Sequence, residues 1–206
     1  VLIYFRRDWF KIFSDAIKRP AEKEGRLLWL LAAGSVPAGL AGVFLNDLAE
    51  TKFRDPLWIG FNMLFFSLFI YLADRKPTQA LEEDSFSLKH TLLIGLAQSI
   101  ALMPGASRSG MTIMAALFLG YTRGAAARLS FLLGTPIILA AVLLEACKIS
   151  PERLNAASAA GLAASFTTGL AVIGLLMAWL KKRTLTPFII YRVILGAAIL
   201  WLFRGS

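Results

Sequence analysis

The sequence predicts an all-α polytopic membrane protein, a helix bundle with a re-entrant helix hairpin, and three observations carry that prediction. Of the 206 residues, 57% are hydrophobic and 17% charged, whereas soluble domains sit near about 45–50% and 25%. So few polar groups could not cover the outside of a soluble chain. Five apolar segments, 27–45, 57–73, 129–147, 159–180 and 187–203, each reach the roughly 17–25 residues that a spanning helix needs. The stretch 91–120 instead holds two short apolar runs, Thr91 to Met103 and Met111 to Gly120, on either side of Pro104-Gly105-Ala106-Ser107-Arg108-Ser109-Gly110. Two half-length helices around a polar turn predict a hairpin that dips to mid-membrane and returns. Irregular backbone at that depth requires protein or a wet cavity around it.

The elements follow in order as one membrane domain over 1–206. Residues 1–26 form a basic interfacial segment in which Trp9, Phe10, Ile12, Phe13 and Ile17 interleave with seven Lys and Arg, the pattern of an amphipathic helix at the membrane surface. Residues 27–90 supply two transmembrane helices and their loops. The patch Glu82-Glu83-Asp84 reads as solvated surface, with His90 a polar residue at a helix start. Residues 91–120 are the hairpin, and 121–206 supply three more transmembrane helices. A returning hairpin puts 15 Lys and Arg on one side of the membrane and 5 on the other, whereas a crossing gives 13 and 7. The positive-inside rule prefers the return. Val1 is not Met, and Val1-Leu2-Ile3-Tyr4-Phe5 reads as the tail of an apolar helix, so the N-terminal part of the full protein is expected to lie upstream.

Charge and rare residues exclude other classes. The net charge is +9, but the bases sit in short segments between apolar runs rather than on a soluble basic face, which argues against nucleic acid. The single cysteine, Cys147, rules out a disulfide framework within one chain. The single histidine, His90, leaves no imidazole cluster for zinc or copper. Gly34, Gly39, Gly42, Gly161, Gly169 and Gly174 are expected to mark close helix packing.

The chemistry concentrates between Gln98 and Thr112, Q-S-I-A-L-M-P-G-A-S-R-S-G-M-T. Arg108 sits in the turn, and an arginine at membrane depth costs about 2.5–3.5 kcal/mol on insertion scales. Asp84 and Glu145, the nearest acids in sequence, are not in obvious reach, which points to a ligand as its anionic partner. Arginine's planar fork matches phosphate oxygens. Ser107 and Ser109 add hydroxyls, and Gly105 and Gly110 let backbone amides approach closely. Ser109 is expected to cap a helix beginning near Met111, whose N-terminus would face the same anion. Thr112 adds a hydroxyl from the first turn, and Gln98 could point toward the turn. The other reading makes Arg108 a clamp on helix carbonyls, with the serines as interhelical glue. Glu145 and Lys148 read as an interfacial pair. Arg192 either snorkels to the interface or faces the cavity.

Gly95 to Thr112 resembles the second signature of the undecaprenyl-diphosphate phosphatase (bacitracin-resistance) family. The resemblance continues through Ala125 to Leu133, Pro136, Leu185-Thr186-Pro187-Phe188 and Tyr191-Arg192. It implies an enzyme of the bacterial cytoplasmic membrane that converts a C55 polyprenyl diphosphate into the monophosphate carrier used in peptidoglycan synthesis. It also implies bacitracin resistance and a transporter-like fold of inverted repeats, of which the hairpin here is one half. By carry-over, Arg108, Ser107 and Thr112 are the catalytic candidates, and Gly105, Ser109, Gly110 and Gln98 the phosphate-binding ones. The family's first signature supplies two glutamates, a serine-rich turn and a histidine, together with a need for a divalent cation such as Mg²⁺ or Ca²⁺. That signature has no counterpart in this sequence, so no metal ligand is assigned here and the chain is expected to be catalytically incomplete. The implied partners are the polyprenyl diphosphate and membrane lipids, with the oligomeric state, a homo-oligomer included, left open. A flippase or anion carrier built on the same broken helices, or a non-catalytic scaffold, is the alternative. Phosphate release separates the enzyme from both.

Overall fold

The computed structural model describes residues 1–20, 22–51, 54–76, 79–146 and 155–204. Among the described residues eight α-helices follow one another: α1 (Arg6–Lys18), α2 (Lys23–Thr51), α3 (Pro56–Asp74), α4 (Leu88–Ile100), α5 (Arg108–Phe118), α6 (Arg123–Ala146), α7 (Ala156–Leu180) and α8 (Thr186–Leu202). A 3₁₀ turn at Glu83–Ser85 precedes α4, and no strand occurs among the described residues. Local chemistry sets several starts. Asp55 accepts the Leu57 amide at 2.7 Å with Pro56 at the first helical position. Ser87 caps α4, and Asn155 and Ser158 cap each other's amides at the start of α7.

Among the described residues four helices carry stretches long and apolar enough to cross a membrane: Gly25–Phe44, Pro56–Asp74, Arg123–Leu144 and Ala156–Leu180. The predicted fifth crossing is α8, whose 17 residues lie at the short end of the roughly 17–25 that span. The architecture is that of a multi-pass membrane bundle. The apolar segment read from 129 begins in the structure at Arg123, because both arginines of that first stretch are paired: Arg123 with Asp74, Arg128 with Asp8 and Glu83. Glu83 is thus an ion-pair partner that ties the 3₁₀ turn to α6, which corrects its reading as merely solvated surface. The expected Glu145–Lys148 pair and Cys147 lie outside the described residues.

The short pair α4 and α5, 13 and 11 residues, is only about 20 Å and 17 Å long at 1.5 Å per residue. Its two outer ends meet. The Tyr121 hydroxyl donates to the Ser85 carbonyl at 2.9 Å and is 2.9 Å from His90 Nδ1. Gly120 O accepts the amides of Ala80 and Leu81, and Leu81 O accepts that of Thr122. Since the phenol's one proton goes to Ser85, His90 must donate from Nδ1, which fixes its tautomer. The segments that a returning hairpin places on one side come together at one end, where Asp8, Glu83, Arg123 and Lys181 line one cavity of about 1000 Å³.

The hairpin is wedged between neighbours at close range. A Cβ on Gly95 of α4 would stand 1.9 Å from the Gly34 carbonyl oxygen of α2, and one on Gly34 would meet Thr91 Cγ2 at 2.5 Å. Gly60 of α3 and Gly196 of α8 oppose each other in the same way, each Cβ 3.0 Å from the other's carbonyl oxygen. Of the glycines expected to mark packing, Gly34 does so. Gly39, Gly42, Gly161 and Gly169 have open space where a side chain would stand, because they lie on outward faces, and Gly174 makes only an ordinary contact with Tyr4. At the basic end, buried Asp74 accepts Arg123 Nε at 2.5 Å and the Leu185 amide at 3.0 Å, fastening α3 to α6 and to the approach of α8. Phe5, Trp9 and Ile12 pack into the core, while Phe10 and Ile17 remain exposed. α1 therefore buries one side of its apolar set and leaves the other outward.

Gly95→Ala is expected to lower stability by about 3 kcal/mol, the upper end of overpacking costs, whereas Gly39→Ala should be neutral or slightly stabilising; thermal unfolding in detergent compares them. Burial pushes the Tyr121 phenol up to about 12. The folded protein then holds this proton more tightly than the unfolded chain, so Tyr121's contribution is intact below about pH 10 and is lost as pH rises through 12. Tyr121→Phe should flatten that alkaline decline in a pH series of unfolding temperatures.

Candidate functional site: an anion cradle at the hairpin turn

Residues 101–107 join α4 to α5, and no helix ladder can satisfy all of their carbonyls. Side chains of two other helices do so. Asn62 Nδ2 of α3 donates to Pro104 O at 3.0 Å, and Arg192 Nη2 of α8 donates to Gly105 O at 2.7 Å. Arg192 also uses Nε on Ser67 Oγ at 3.1 Å, while Ser67 donates to Met63 O at 2.6 Å. Asn62 and Ser67 are both buried. Arg192 therefore faces inward onto the turn, which decides between the two sequence readings.

So held, the turn takes two left-handed residues. Gly105 has φ +89°, and a Cβ there would stand 2.6 Å from Ile59 O, so only glycine fits. Ser107 has φ +68° and ψ +111°, a conformation that costs a non-glycine residue about 1–3 kcal/mol. It is the cap of α5, its Oγ accepting the Gly110 amide at 3.3 Å, and Met111 N–H donates to Ser107 O at 2.9 Å. The helix thus begins at Arg108, three residues before the expected start. The cap is Ser107 and not Ser109, because Ser109 already lies inside the helix while the non-helical backbone at 107 puts Oγ within reach of the Gly110 amide.

This shift changes which donors are free. Of the four amides that open a helix without an intrahelical partner, here those of Ser107 to Gly110, that of Gly110 is taken up by Ser107 Oγ, and the Met111 amide begins the helical ladder on Ser107 O. The amides of Arg108 and Ser109 remain for a ligand, at the positive end of the helix dipole. Arg108 is exposed, and its guanidinium has one long bond, Nη1 to Gly134 O at 3.4 Å. No carboxylate pairs with Arg108 or with Arg192 among the described residues. Gly134 leaves just enough room for the fork, since a Cβ there would be 3.4 Å from Arg108 Cζ.

The other expected site residues fall in different places. Thr112 is fully buried, and its hydroxyl is within 3.0 Å of Arg108 O, 3.2 Å of Ser109 O and 2.6 Å of Ser130 Oγ. It braces the first turn of α5 against α6 from behind. Gln98 is buried with neither amide atom hydrogen-bonded. It lies on the Thr91–Gly95 face of α4, the one packed on α2, and no side-chain hydrogen bond joins it to the turn. Gly110 fits tightly, a Cβ there meeting Ile70 Cδ1 and Ser107 Oγ each at 3.1 Å. Ser109 is half-buried beside Arg108. Sequence reasoning missed Asn62, Ser67 and Ser130. The available signal was a polar residue inside an otherwise apolar span, which marks a functional or structural contact at membrane depth.

A divalent cation held by protein side chains alone would need carboxylate or imidazole ligands. The turn and the start of α5 have none, and among the described residues no three His, Cys, Asp or Glu side chains gather as a ligand set. These residues do not fit such a cation. They fit an oxyanion, for which fork, amides and hydroxyl are the usual donors. Gly105→Ala should lower pyrophosphate affinity at least about tenfold, since a left-handed residue and a backbone clash must both be relieved; calorimetric titration of the solubilised protein measures it.

Comparison with known proteins agrees with this chemistry. The model of the family described as bacitracin resistance protein BacA matches residues 1–198. The undecaprenyl-diphosphatase of Elusimicrobium minutum is 44% identical over 200 residues, which cover 97% of this chain and 77% of that protein. Those of Desulforudis audaxviator and Thermomicrobium roseum are 38% and 39% identical, over 97% of this chain and 77% and 78% of their own lengths.

Proposed function

As the chain belongs to the family of bacitracin resistance proteins, we propose that it works as an undecaprenyl-diphosphatase, removing the terminal phosphate of a polyprenyl diphosphate in the bacterial cytoplasmic membrane and so conferring bacitracin resistance. The observation that carries this is the free fork of Arg108 beside two open amides at the start of α5. In this reading α4 and α5 enter the membrane from one side and return, bringing the cradle to a depth where the diphosphate of a lipid can reach it while its prenyl chain stays in the bilayer.

The chain's own residues bind and orient. The diphosphate displaces the long Arg108–Gly134 bond, and the guanidinium takes two phosphoryl oxygens side by side. The amides of Arg108 and Ser109 and the Ser109 hydroxyl meet the remaining charge. Because these donors are fixed before the substrate arrives, little reorganisation is needed as charge builds on the phosphoryl oxygens during cleavage. Ser107 keeps its Oγ on the Gly110 amide and holds the helix start in place. The balance of the reaction is one water added across the phosphoanhydride, giving a prenyl monophosphate and inorganic phosphate. The divalent cation that the family resemblance implies would be held by the diphosphate's own oxygens, since Mg²⁺ binds through substrate phosphates.

Phosphate release from a prenyl diphosphate in detergent, with Mg²⁺, tests the reading. The full-length protein should release phosphate, and in it Arg108→Lys should lower the rate about 100-fold, as loss of a charge-stabilising donor does. Chelation with EDTA is expected to stop release and added Mg²⁺ to restore it. Transfer of the lipid across a vesicle bilayer with no phosphate released would replace the phosphatase by a carrier.

A further inference from the structure

We propose that Arg192 is a positioning residue of the anion cradle: it acts on the substrate through the hairpin turn and without touching it. The inference rests on the phosphatase reading of the same site and names a residue that the reading does not require.

The Arg192 guanidinium makes one planar grip on two elements at once. One edge of the fork, Nε and Nη2, straddles Ser67 Oγ at 3.1 Å and Gly105 O at 2.7 Å, with Met63 O at 3.5 Å from Nη2. Ser67 is itself oriented, because its proton goes to Met63 O at 2.6 Å and leaves a lone pair for the arginine. The grip therefore has a built second layer. It also sits at the position from which the cradle is set: Gly105 is two residues before the left-handed Ser107 and three before Arg108. A strained residue keeps its conformation only where its surroundings over-determine it. Here the surroundings are Asn62 on Pro104 O and Arg192 on Gly105 O. If the Gly105 carbonyl is released, Ser107 can relax, the start of α5 moves, and the Arg108 fork and the two open amides lose their common target.

Lysine cannot replace this arginine. A single ammonium carries charge, but it lacks the rigid two-donor edge that reaches α3 and the turn together. Charge and position can thus be separated by substitution. Ser67→Ala removes one receiver of the fork while leaving the arginine in place, and gives a milder perturbation if Arg192→Lys proves hard to produce.

The experiment measures kcat/KM for phosphate release, pyrophosphate affinity and unfolding temperature for the wild type, Arg192→Lys, Ser67→Ala, Arg108→Lys and the double variant Arg108→Lys/Arg192→Lys. Misplacement of a binding group by about 1 Å can cost 100-fold. Arg192→Lys should therefore lose about 30- to 100-fold in kcat/KM and about tenfold in pyrophosphate affinity per folded molecule, with Ser67→Ala losing about threefold to tenfold. In the Arg108→Lys background the further Arg192→Lys loss should shrink to about threefold or less, because the two residues act through one cradle. Losses that multiply in the double variant, an Arg192→Lys enzyme within threefold of wild type, or normal kcat/KM and pyrophosphate affinity at a lowered unfolding temperature would each overturn the proposal. A wild type that binds pyrophosphate but releases no phosphate would instead sink the phosphatase reading, and the affinity series would still decide the role of Arg192.

Discussion

The two carbonyls at the tip of the hairpin, Pro104 O and Gly105 O, set the constraint on which the rest of the structure depends. Backbone oxygens at membrane depth have no water to turn to, and the tip of a helical pair cannot satisfy its own. α3 and α8 are placed to do it, one with Asn62 and the other with Arg192. Their own close approach through Gly60 and Gly196 brings both side chains to the same tip. The hairpin is thus fixed at its apex by hydrogen bonds and at its flank by the contact of Gly95 with Gly34. At its base the bonds of Ser85, His90 and Tyr121 hold it closed.

The charges follow the same logic in reverse. At the basic end, the arginines of α6 are matched by acids on three other elements, and the interaction is structural. At the turn, Arg108 and Arg192 have neutral oxygens for partners and no acid among the described residues. A pair of uncompensated cations at depth is costly, and the cost falls when an anion arrives. Arg192 has its Nε and Nη2 committed to protein oxygens, whereas Arg108 has one long bond to give up. The two arginines are alike in composition and differ in availability, which separates the one that holds the turn from the one that is open to a ligand.

Much of this was legible in the sequence, and the limits have physical causes. Length and hydropathy reveal the spans, and the interrupted apolar pattern around Pro104 reveals the hairpin, because both depend on properties of consecutive residues. Arg108 stands out for the same reason: a charge in an apolar stretch. The start of α5 was read at Met111 because Ser109 is as good a cap by type as Ser107; only the left-handed backbone at 107, imposed by contacts from α3 and α8, selects between them. Thr112 has the right spacing for a ligand hydroxyl, yet Ser130 of α6 turns it inward, a contact 18 residues away along the chain. Glu83 looked like solvated surface because its partner, Arg128, lies on another helix. Arg192 could be placed only once α8 was known to lie against α3.

The most direct measurement is a structure of the protein bound to a non-hydrolysable prenyl methylenediphosphonate. The account predicts that the Arg108 guanidinium leaves Gly134 O and takes the outer phosphonate side by side, with the Arg108 and Ser109 amides on the same group and Arg192 still on Gly105 O. A diphosphonate bound elsewhere, with Arg108 still on Gly134 O, would contradict it.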